Sequence, residues 1–271
     1  MSTAKQQLLL ELDDSAPTML EFHDGLAVAF SKRGPGKTVN EDGAAILAHE
    51  LGGVLAVADG MGGLSAGERA ARITLETLAA SVAAGEPGSD RLRSEVVDGI
   101  EAANRAVLAL GIGAGATLAA VVLRENVAQP IHVGDSMVLQ VGQRGRVKSL
   151  TIPHSPTGYA VEAGLLAAED ALHHDELHIV SNFVGFEGMR IELGASLSLA
   201  ERDTLLVASD GLADNLRLRE IIEIVRKGSL SQAALQLATL ATQRMAEPGI
   251  DQPSKPDDLT FLLFRRKRRR T

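Results

Sequence analysis

The sequence predicts an α+β domain in which layers of antiparallel strands pack against helices. Short apolar runs, bounded by glycine or polar residues, recur along most of the chain and are typical of buried strands. Two glycine-containing joints, HELGG at 49–53 and GQRG at 142–145, indicate hairpins and therefore antiparallel pairing. Longer segments between the strands carry apolar residues at helical spacing, which predicts helices that cover a sheet.

The individual elements follow from these patterns in chain order. The predicted strands are LAVAF (26–30), GAAILA (43–48), GVLAVAD (53–59), TLAAVVL (117–123), IHVGDSMVLQV (131–141), TLLVASD (204–210) and LTFLLF (259–264). The predicted helices are GERAARITLETLAASVAA (67–84), SDRLRSEVVDGIEAANRAVLAL (89–110) and SLSQAALQLATLATQRMA (229–246). We expect residues 1–22 to be an N-terminal extension, residues 23–264 to be one folded domain, and residues 265–271 to be a basic tail.

Composition limits the class of protein. The chain has 271 residues, of which 45% are hydrophobic and 23% charged, as in an ordinary globular domain. It has no cysteine, which excludes disulfides and thiolate zinc sites. The net charge is −8 although RRKRRR at 265–270 is basic, so the body is acidic and we expect no nucleic-acid partner. No signal peptide or membrane span is evident, which predicts a cytoplasmic protein without a membrane partner.

Acidic residues stand where several predicted strands begin or end. They are Glu41, Asp42, Asp59, Asp210 and Asp257, and Asp135 lies inside the strand pair at 131–141. A carboxylate at the end of a buried strand is costly unless it is paired or binds a metal ion. Any one of them could be a turn or cap residue, but so many together favour a shared site. Oxygen ligands favour hard cations, Mg²⁺ or Mn²⁺. The glycines after Asp59 and Asp210 leave room for a backbone carbonyl or a hydrated metal ion to come close to the carboxylates.

The motifs that contain these acids occur in a recognisable order. They are NED (40–42), DGMGGLSAGE (59–68), GATL (115–118), GDS (134–136), SDGL (209–212) and DDLT (257–260). In this order they resemble the metal-dependent serine/threonine protein phosphatases of type 2C, as a bacterial-type single-domain member. The resemblance spans about Leu26 to Phe264. It implies a four-layer αββα sandwich, with two mostly antiparallel sheets flanked by helices.

The resemblance also implies roles for individual residues. Asp59 would bridge two Mn²⁺ or Mg²⁺ ions. Asp210 and Asp257 would complete the coordination of one ion. Glu41 and the carbonyl of Gly60 would complete the coordination of the other. Asp135, together with Asp210 and Asp214, corresponds to a weaker third metal site. Asp42 would orient bound water. The implied activity is hydrolysis of phosphoserine and phosphothreonine by a metal-activated water, on proteins phosphorylated by a serine/threonine kinase. We expect the enzyme to act as a monomer.

Two positions depart from the family pattern. Lys37 stands where an arginine commonly holds the substrate phosphate, which keeps the charge but loses the two-point guanidinium contact. Arg33 is near enough in sequence to replace it. Met61 stands where eukaryotic members have a proposed acid histidine, and bacterial-type members share the methionine. Residues 153–183 correspond to the flap beside the active site.

Alternatives from other classes remain. A non-catalytic relative that binds phosphoproteins or regulates a kinase would explain the change at Lys37. GLSAG (63–67) fits a serine-hydrolase elbow with Ser65 as nucleophile, but that serine lies too far from the strand end and no histidine follows His178. GIGAGA (111–116) is interpreted as a turn, because a helix precedes it and a strand follows it. HHDELH (173–178) lacks the residue order of a zinc helix and is interpreted as a solvated part of the flap.

Overall fold

Two antiparallel sheets form the centre of the fold. The computed structural model describes residues 6–10, 12–14, 16–62, 66–85 and 91–267. Within them the strands are β1 (Gln6–Leu10), β2 (Thr18–Phe22), β3 (Gly25–Lys32), β4 (Asp42–His49), β5 (Gly52–Met61), β6 (Gly115–Arg124), β7 (Val127–Val133), β8 (Met137–Val141), β9 (Val147–Leu150), β10 (Glu192–Leu193), β11 (Leu197–Ser198), β12 (Thr204–Ala208) and β13 (Leu259–Arg266). The helices are α1 (Ala66–Ala84), α2 (Leu92–Leu108), α3 (Pro156–Glu162), α4 (Ala168–Ala171), α5 (Asp210–Ala213), α6 (Leu218–Val225) and α7 (Leu230–Ala246).

The strand pairing defines the four layers. In the described residues the first sheet has the order β1-β4-β5-β6-β7-β10, with β11 also paired to β7, and the second has the order β2-β3-β13-β12-β8-β9. One apolar cluster packs the first sheet against α1 and α2, another packs the second sheet against α6 and α7, and a third lies between the sheets. The αββα sandwich implied by the family resemblance is therefore confirmed.

Side chains along the central strands alternate between two buried faces, and this explains why these strands are apolar throughout. In β5, Val54 and Ala56 face the helices, whereas Leu55 and Val57 face the second sheet. Successive side chains of a strand point to opposite faces, and here both faces are covered. A strand buried on both sides has no position for a polar residue until it reaches its end.

The segment predicted as one strand at 131–141 is instead two strands in different sheets. β7 ends at Val133 in the first sheet, and β8 begins at Met137 in the second. Gly134 makes the crossing with φ 103°, and a Cβ at this position would lie 2.6 Å from the Cβ of Thr117. Only glycine fits this backbone conformation and this space without strain. The polar residues of GDS at 134–136, between two apolar halves, were the available signal for this break.

The terminal regions also differ from the expected boundaries. β1 pairs with β4 and β2 pairs with β3, so the described part of the segment 1–22 belongs to the two sheets. At the other end β13 continues to Arg266, whose Nε lies 2.6 Å from Asp24 Oδ2. The first residues expected in the basic tail therefore end a strand, and residues 268–271 lie outside the described part. The ion pair with Asp24 compensates the positive charge of Arg266 at the end of this strand.

The end of β5 touches the beginning of α1 through two glycines. A Cβ on Gly60 would overlap the carbonyl of Gly67 and would lie 2.8 Å from the carbonyl oxygen of Glu41. The amide of Gly60 donates a hydrogen bond to this same Glu41 oxygen at 3.1 Å. The chain thus needs glycine here for close packing of backbone against backbone. No helix in the described ranges is both long enough and apolar enough to cross a membrane.

We expect Leu75→Ala to lower the free energy of unfolding by about 2–5 kcal/mol, because Leu75 of α1 is fully buried and its loss leaves a cavity. Leu235→Ala on α7 is the matched control, since Leu235 is 51% exposed, and should change stability by less than about 0.5 kcal/mol. Urea titration monitored by circular dichroism measures both. Equal losses in the two variants would contradict the assigned core.

We expect Gly60→Ala to destabilise the protein by about 1–3 kcal/mol, because the new methyl group meets backbone atoms that cannot rotate away. The control is Gly142→Ala, where the nearest atom to a new Cβ lies at 3.5 Å, an ordinary contact. The melting temperature of each variant is the readout. A Gly60→Ala protein as stable as Gly142→Ala would show that β5 and α1 are farther apart than described.

Candidate metal centre

The acidic residues singled out in the sequence converge at one end of the sandwich. Asp42 begins β4 and lies directly opposite Asp59 near the end of β5. In the second sheet, Asp210 follows β12 as the first residue of α5, and Asp257 precedes β13. Because neighbouring strands run antiparallel, the end of one and the start of the next share an edge. The four carboxylates therefore come from both sheets.

A buried hydrogen-bond chain joins the two sheets behind Asp42. The Ser209 hydroxyl donates to Asp42 Oδ2 at 2.7 Å and accepts from the Thr260 amide at 3.1 Å. The Thr260 hydroxyl lies 2.7 Å from the Ser31 hydroxyl, which accepts from the Asn40 side-chain amide at 2.9 Å. The oxygen of that amide accepts from the Asp42 backbone at 3.0 Å. Asp42 is thus held in one orientation.

Burial and mutual repulsion dominate the electrostatics of the cluster. Burial raises the pKa of Asp59 well above its usual range, and the nearby charges of Asp42, Asp210 and Asp257 raise it further. Burial, with repulsion from Asp210, raises the pKa of Asp135 to about 7. These carboxylates thus resist full ionisation together in the absence of cations. A positive charge placed among them would be strongly favoured.

Glu41 approaches the same space from the loop before β4. A Cβ on Gly67 would lie 2.6 Å from Glu41 Oε1, so the carboxylate rests against the first turn of α1. An acid at this end of a helix is stabilised by the helix dipole. The hydrogen bond from the Gly60 amide fixes the Glu41 backbone beside the end of β5. The same Cβ on Gly67 would lie 2.8 Å from the Gly60 carbonyl oxygen, so this oxygen and the Glu41 carboxylate face the same point on α1.

The chemistry of these donors fits hard divalent cations. Asp210 Oδ1 is buried and has no hydrogen-bond partner among the described residues, which is costly unless another group binds it. The donors around it are carboxylate oxygens and a backbone carbonyl, the ligand set that Mg²⁺ and Mn²⁺ prefer. Asp59, Asp210 and Asp257 with Glu41 and Gly60 are thus suited to hold such ions.

Lys37 lies among the carboxylates rather than apart from them. Its Nζ lies 2.6 Å from Asp257 Oδ1, 3.1 Å from Asp258 Oδ2 and 3.6 Å from Glu41 Oε2. Burial alone would lower the pKa of Lys37, but the hydrogen bond and charge of Asp257 raise it above its ordinary value. Arg33 is exposed and donates instead to Thr38 O at 2.9 Å. Of the two candidates for a phosphate contact, Lys37 is the one beside the centre.

Asp258 is a residue beside the acidic cluster whose contacts were not predicted from the sequence. It is buried, and its two oxygens accept from the backbone amides of Gly34 at 2.7 Å and Glu41 at 2.8 Å. The Lys37 ammonium shares the second oxygen. Asp258 therefore fixes the loop that carries Lys37 and Glu41 against the start of β13. The doubled acid in the DDLT motif was the available signal.

Lys255 is a second residue absent from the sequence predictions. Its Nζ lies 2.5 Å from Asp210 Oδ2, 2.9 Å from Asp214 Oδ2 and 3.4 Å from Asp257 Oδ2. Burial would lower the pKa of Lys255, but the charges of Asp210 and Asp214 raise it well above its usual range. Lys255, two residues before Asp257, belongs to no recognisable sequence motif. Its contacts with the acids are therefore seen only in the structure.

The Asp135 loop is coupled to the flap through His154. The amide of Gly134 donates to His154 Nδ1 at 3.0 Å, and the Asn182 side chain donates to the same nitrogen at 2.8 Å. Nε2 therefore carries the proton that is donated to Glu192 at 3.0 Å. His154 and Asn182, near the two ends of the segment 153–183, are thus joined to each other and to the loop that carries Asp135.

The remaining sequence candidates are Met61, Ser65 and the histidines of HHDELH. Met61 ends β5 and is partly buried. Ser65 lies outside the described residues, so its surroundings carry no argument. The histidines of HHDELH are exposed and follow α4, in agreement with their interpretation as solvated flap residues.

Comparison with known proteins gives the same family as the motifs. Residues 35–247 match the family model described as protein phosphatase 2C. A putative protein phosphatase 2C-type from Streptococcus pyogenes is 31% identical over 196 residues, which is 69% of this chain and 79% of that protein.

Solved structures agree in fold. The S. agalactiae serine/threonine phosphatase has 29% sequence identity and a TM-score of 0.77, covering 89% of this chain and 99% of the other. The catalytic domain of the serine/threonine protein phosphatase PstP, solved with two manganese ions, has 27% identity and a TM-score of 0.69, covering 88% of this chain and 96% of that domain. With its motifs, layers and converging carboxylates, the chain belongs to the protein phosphatase 2C family.

Proposed function

We propose that this protein hydrolyses phosphoserine and phosphothreonine in other proteins at a centre of two Mn²⁺ or Mg²⁺ ions. The observation that carries the proposal is the buried, unpartnered Asp210 Oδ1 within a cluster of carboxylates from both sheets. Asp59 would lie between the ions, Asp210 and Asp257 would hold one, and Glu41 with the Gly60 carbonyl would hold the other. Bound ions would supply an activated water and neutralise phosphate charge.

The protein's own residues would orient the reaction. Asp42 cannot turn, because Ser209 and the backbone contact with Asn40 hold it, so its free oxygen can keep a water aligned. Asp258 would keep Glu41 and the Lys37 loop in place through its backbone contacts. Such fixed dipoles stabilise a transition state without reorganisation at the moment of reaction.

Lys37 would bind the phosphoryl oxygens of the substrate. Its ammonium now pairs with Asp257 and Asp258, at the rim of the cluster, and is about one third exposed. When Asp257 binds a cation, its attraction for Lys37 weakens and the like charges repel, which frees the ammonium for an anion. This position supports a catalytic protein over a non-catalytic relative, because a charge for phosphate stands directly beside the proposed metal ligands.

The substrates would be proteins phosphorylated on serine or threonine, in agreement with the names of the relatives. We expect a serine/threonine kinase to produce them. The acidic body disfavours nucleic acid as a partner. A monomeric, cytoplasmic enzyme remains our expectation.

Asp59→Asn and Asp210→Asn should each abolish hydrolysis of p-nitrophenyl phosphate and of a phosphothreonine peptide, because each removes a ligand charge. Both should also lose the rise in melting temperature that Mn²⁺ gives the chelated wild-type protein. Asp98→Asn, an exposed acid on α2, is the matched control and should behave as wild type. Full activity of the wild-type protein in excess EDTA would contradict the metal centre. Loss of activity in Ser65→Ala without loss of Mn²⁺ stabilisation would favour the serine hydrolase.

Lys37→Ala should raise KM and lower kcat/KM by roughly ten- to a thousand-fold, the range for loss of one charged contact to the transferring group. Lys37→Arg should retain activity, because a guanidinium can grip phosphate at two points. Steady-state kinetics on a phosphopeptide measure both variants. An active Lys37→Ala beside an inactive Arg33→Ala would move the phosphate contact to Arg33. Wild-type kinetics in both variants would show that neither residue binds the phosphate, whereas a wild-type protein that binds Mn²⁺ but turns over no phosphopeptide would favour the non-catalytic alternative.

A further inference from the structure

The acids expected to hold a third ion already contact a fixed positive charge. We propose that the Lys255 ammonium takes the place of this third metal ion, so that the protein works with a binuclear centre and a built-in cation. The inference rests on the proposed function, because it concerns the site adjoining the two catalytic ions. The expected third-site acids are Asp135, Asp210 and Asp214, and Lys255 contacts two of them.

The distances leave little room for a separate ion at this position. Lys255 Nζ lies 2.5 Å from Asp210 Oδ2 and 2.9 Å from Asp214 Oδ2, within hydrogen-bond reach of both. An ammonium placed between two carboxylates supplies the charge compensation that a loosely bound divalent ion would otherwise give. Metal entry would require that Lys255 move away and leave its own charge without a partner.

The Lys255 backbone is held so that its side chain faces these acids. Its amide donates to Asn215 Oδ1 at 2.8 Å, and its carbonyl accepts from Asn215 Nδ2 at 2.8 Å. Asn215 follows Asp214 directly at the end of α5, and its carbonyl accepts from buried Arg244 at 2.8 Å. The clamp joins the loop before β13 to the helix that carries Asp210 and Asp214. Lys255 is therefore part of a fixed scaffold.

The two oxygens of Asp210 separate the fixed cation from the exchangeable ions. Oδ2 contacts Lys255, whereas Oδ1 is buried and accepts no hydrogen bond from any residue that the structure describes. Lys255 can thus stay in place while Oδ1 binds an ion shared with Asp59. The arrangement predicts saturation of the binuclear centre without a further, weaker binding phase.

The number of bound Mn²⁺ ions tests this directly. Equilibrium dialysis of metal-free protein against rising Mn²⁺, with metal analysis of both chambers, should give about two ions per wild-type chain. Lys255→Met keeps the length and packing of the side chain but removes its charge, and should bind about one ion more. Lys255→Ser should do the same if Lys255→Met does not fold. Lys148→Met is the control, because Lys148 pairs with Asp203 at 2.5 Å outside the centre, and should bind as wild type.

Thermal stability gives a second readout. Without metal, Lys255→Met should melt below the wild type, because Asp210 and Asp214 lose their counter-ion. Its melting temperature should then rise more steeply with Mn²⁺ as the extra ion binds the folded state. A third ion in the wild type, or an unchanged ion count in the Lys255 variants, would overturn the proposal while wild-type phosphatase activity stands. A wild-type chain that binds no Mn²⁺ and hydrolyses no phosphopeptide would overturn the proposed function itself.

Discussion

Repulsion among buried carboxylates is the constraint on which the functional end of this protein depends. Burial raises the pKa of Asp42, Asp59 and Asp214, and each charge makes its neighbours harder to ionise. A cluster of this kind is tolerated only where positive charge compensates it or where stability elsewhere exceeds its cost. The apolar layers on both sides of each sheet supply that stability. The site lies at the ends of strands that are buried on both faces.

The two sheets bring acids from distant parts of the chain to the same end of the sandwich. The gap between the sheets separates the acids of one sheet from those of the other. Asp42 and Asp59 are neighbours in the first sheet, while Asp210 and Asp257 belong to the second. The distance between the sheets is therefore what sets the spacing of the pairs. The hydrogen bond from Ser209 to Asp42 ties that spacing to the backbone of both sheets. Movement between the layers would change the proposed metal centre before it disturbed either sheet.

The sequence predicted the strands and long helices well, because strands covered on both faces are continuously apolar and the helices keep one apolar stripe. It also located the acids, since a charge at the end of such a strand stands out. It missed β1 and β2, edge strands whose pairing depends on partners far along the chain. Lys255 and Asp258 were missed for a related reason. Their roles come from side chains that meet only after the sheets assemble. The doubled acid of DDLT was a signal for Asp258, but nothing in the sequence around Lys255 indicated its contacts with Asp210 and Asp214.

The lysine ammonium groups and exchangeable metal ions would compensate the repulsion among the carboxylates in different ways. Lys37 and Lys255 compensate the acids as soon as the chain folds, whatever the metal supply. Each ammonium also competes with a metal ion for the carboxylate that it contacts, so a stronger lysine pair means weaker metal binding at that oxygen. The competition is least at Asp210 Oδ1, which no described residue contacts by a hydrogen bond. Metal binding would thus be favoured at Asp210 Oδ1, a buried oxygen that no described residue hydrogen-bonds, whereas Lys37 and Lys255 already compensate the oxygens that they contact.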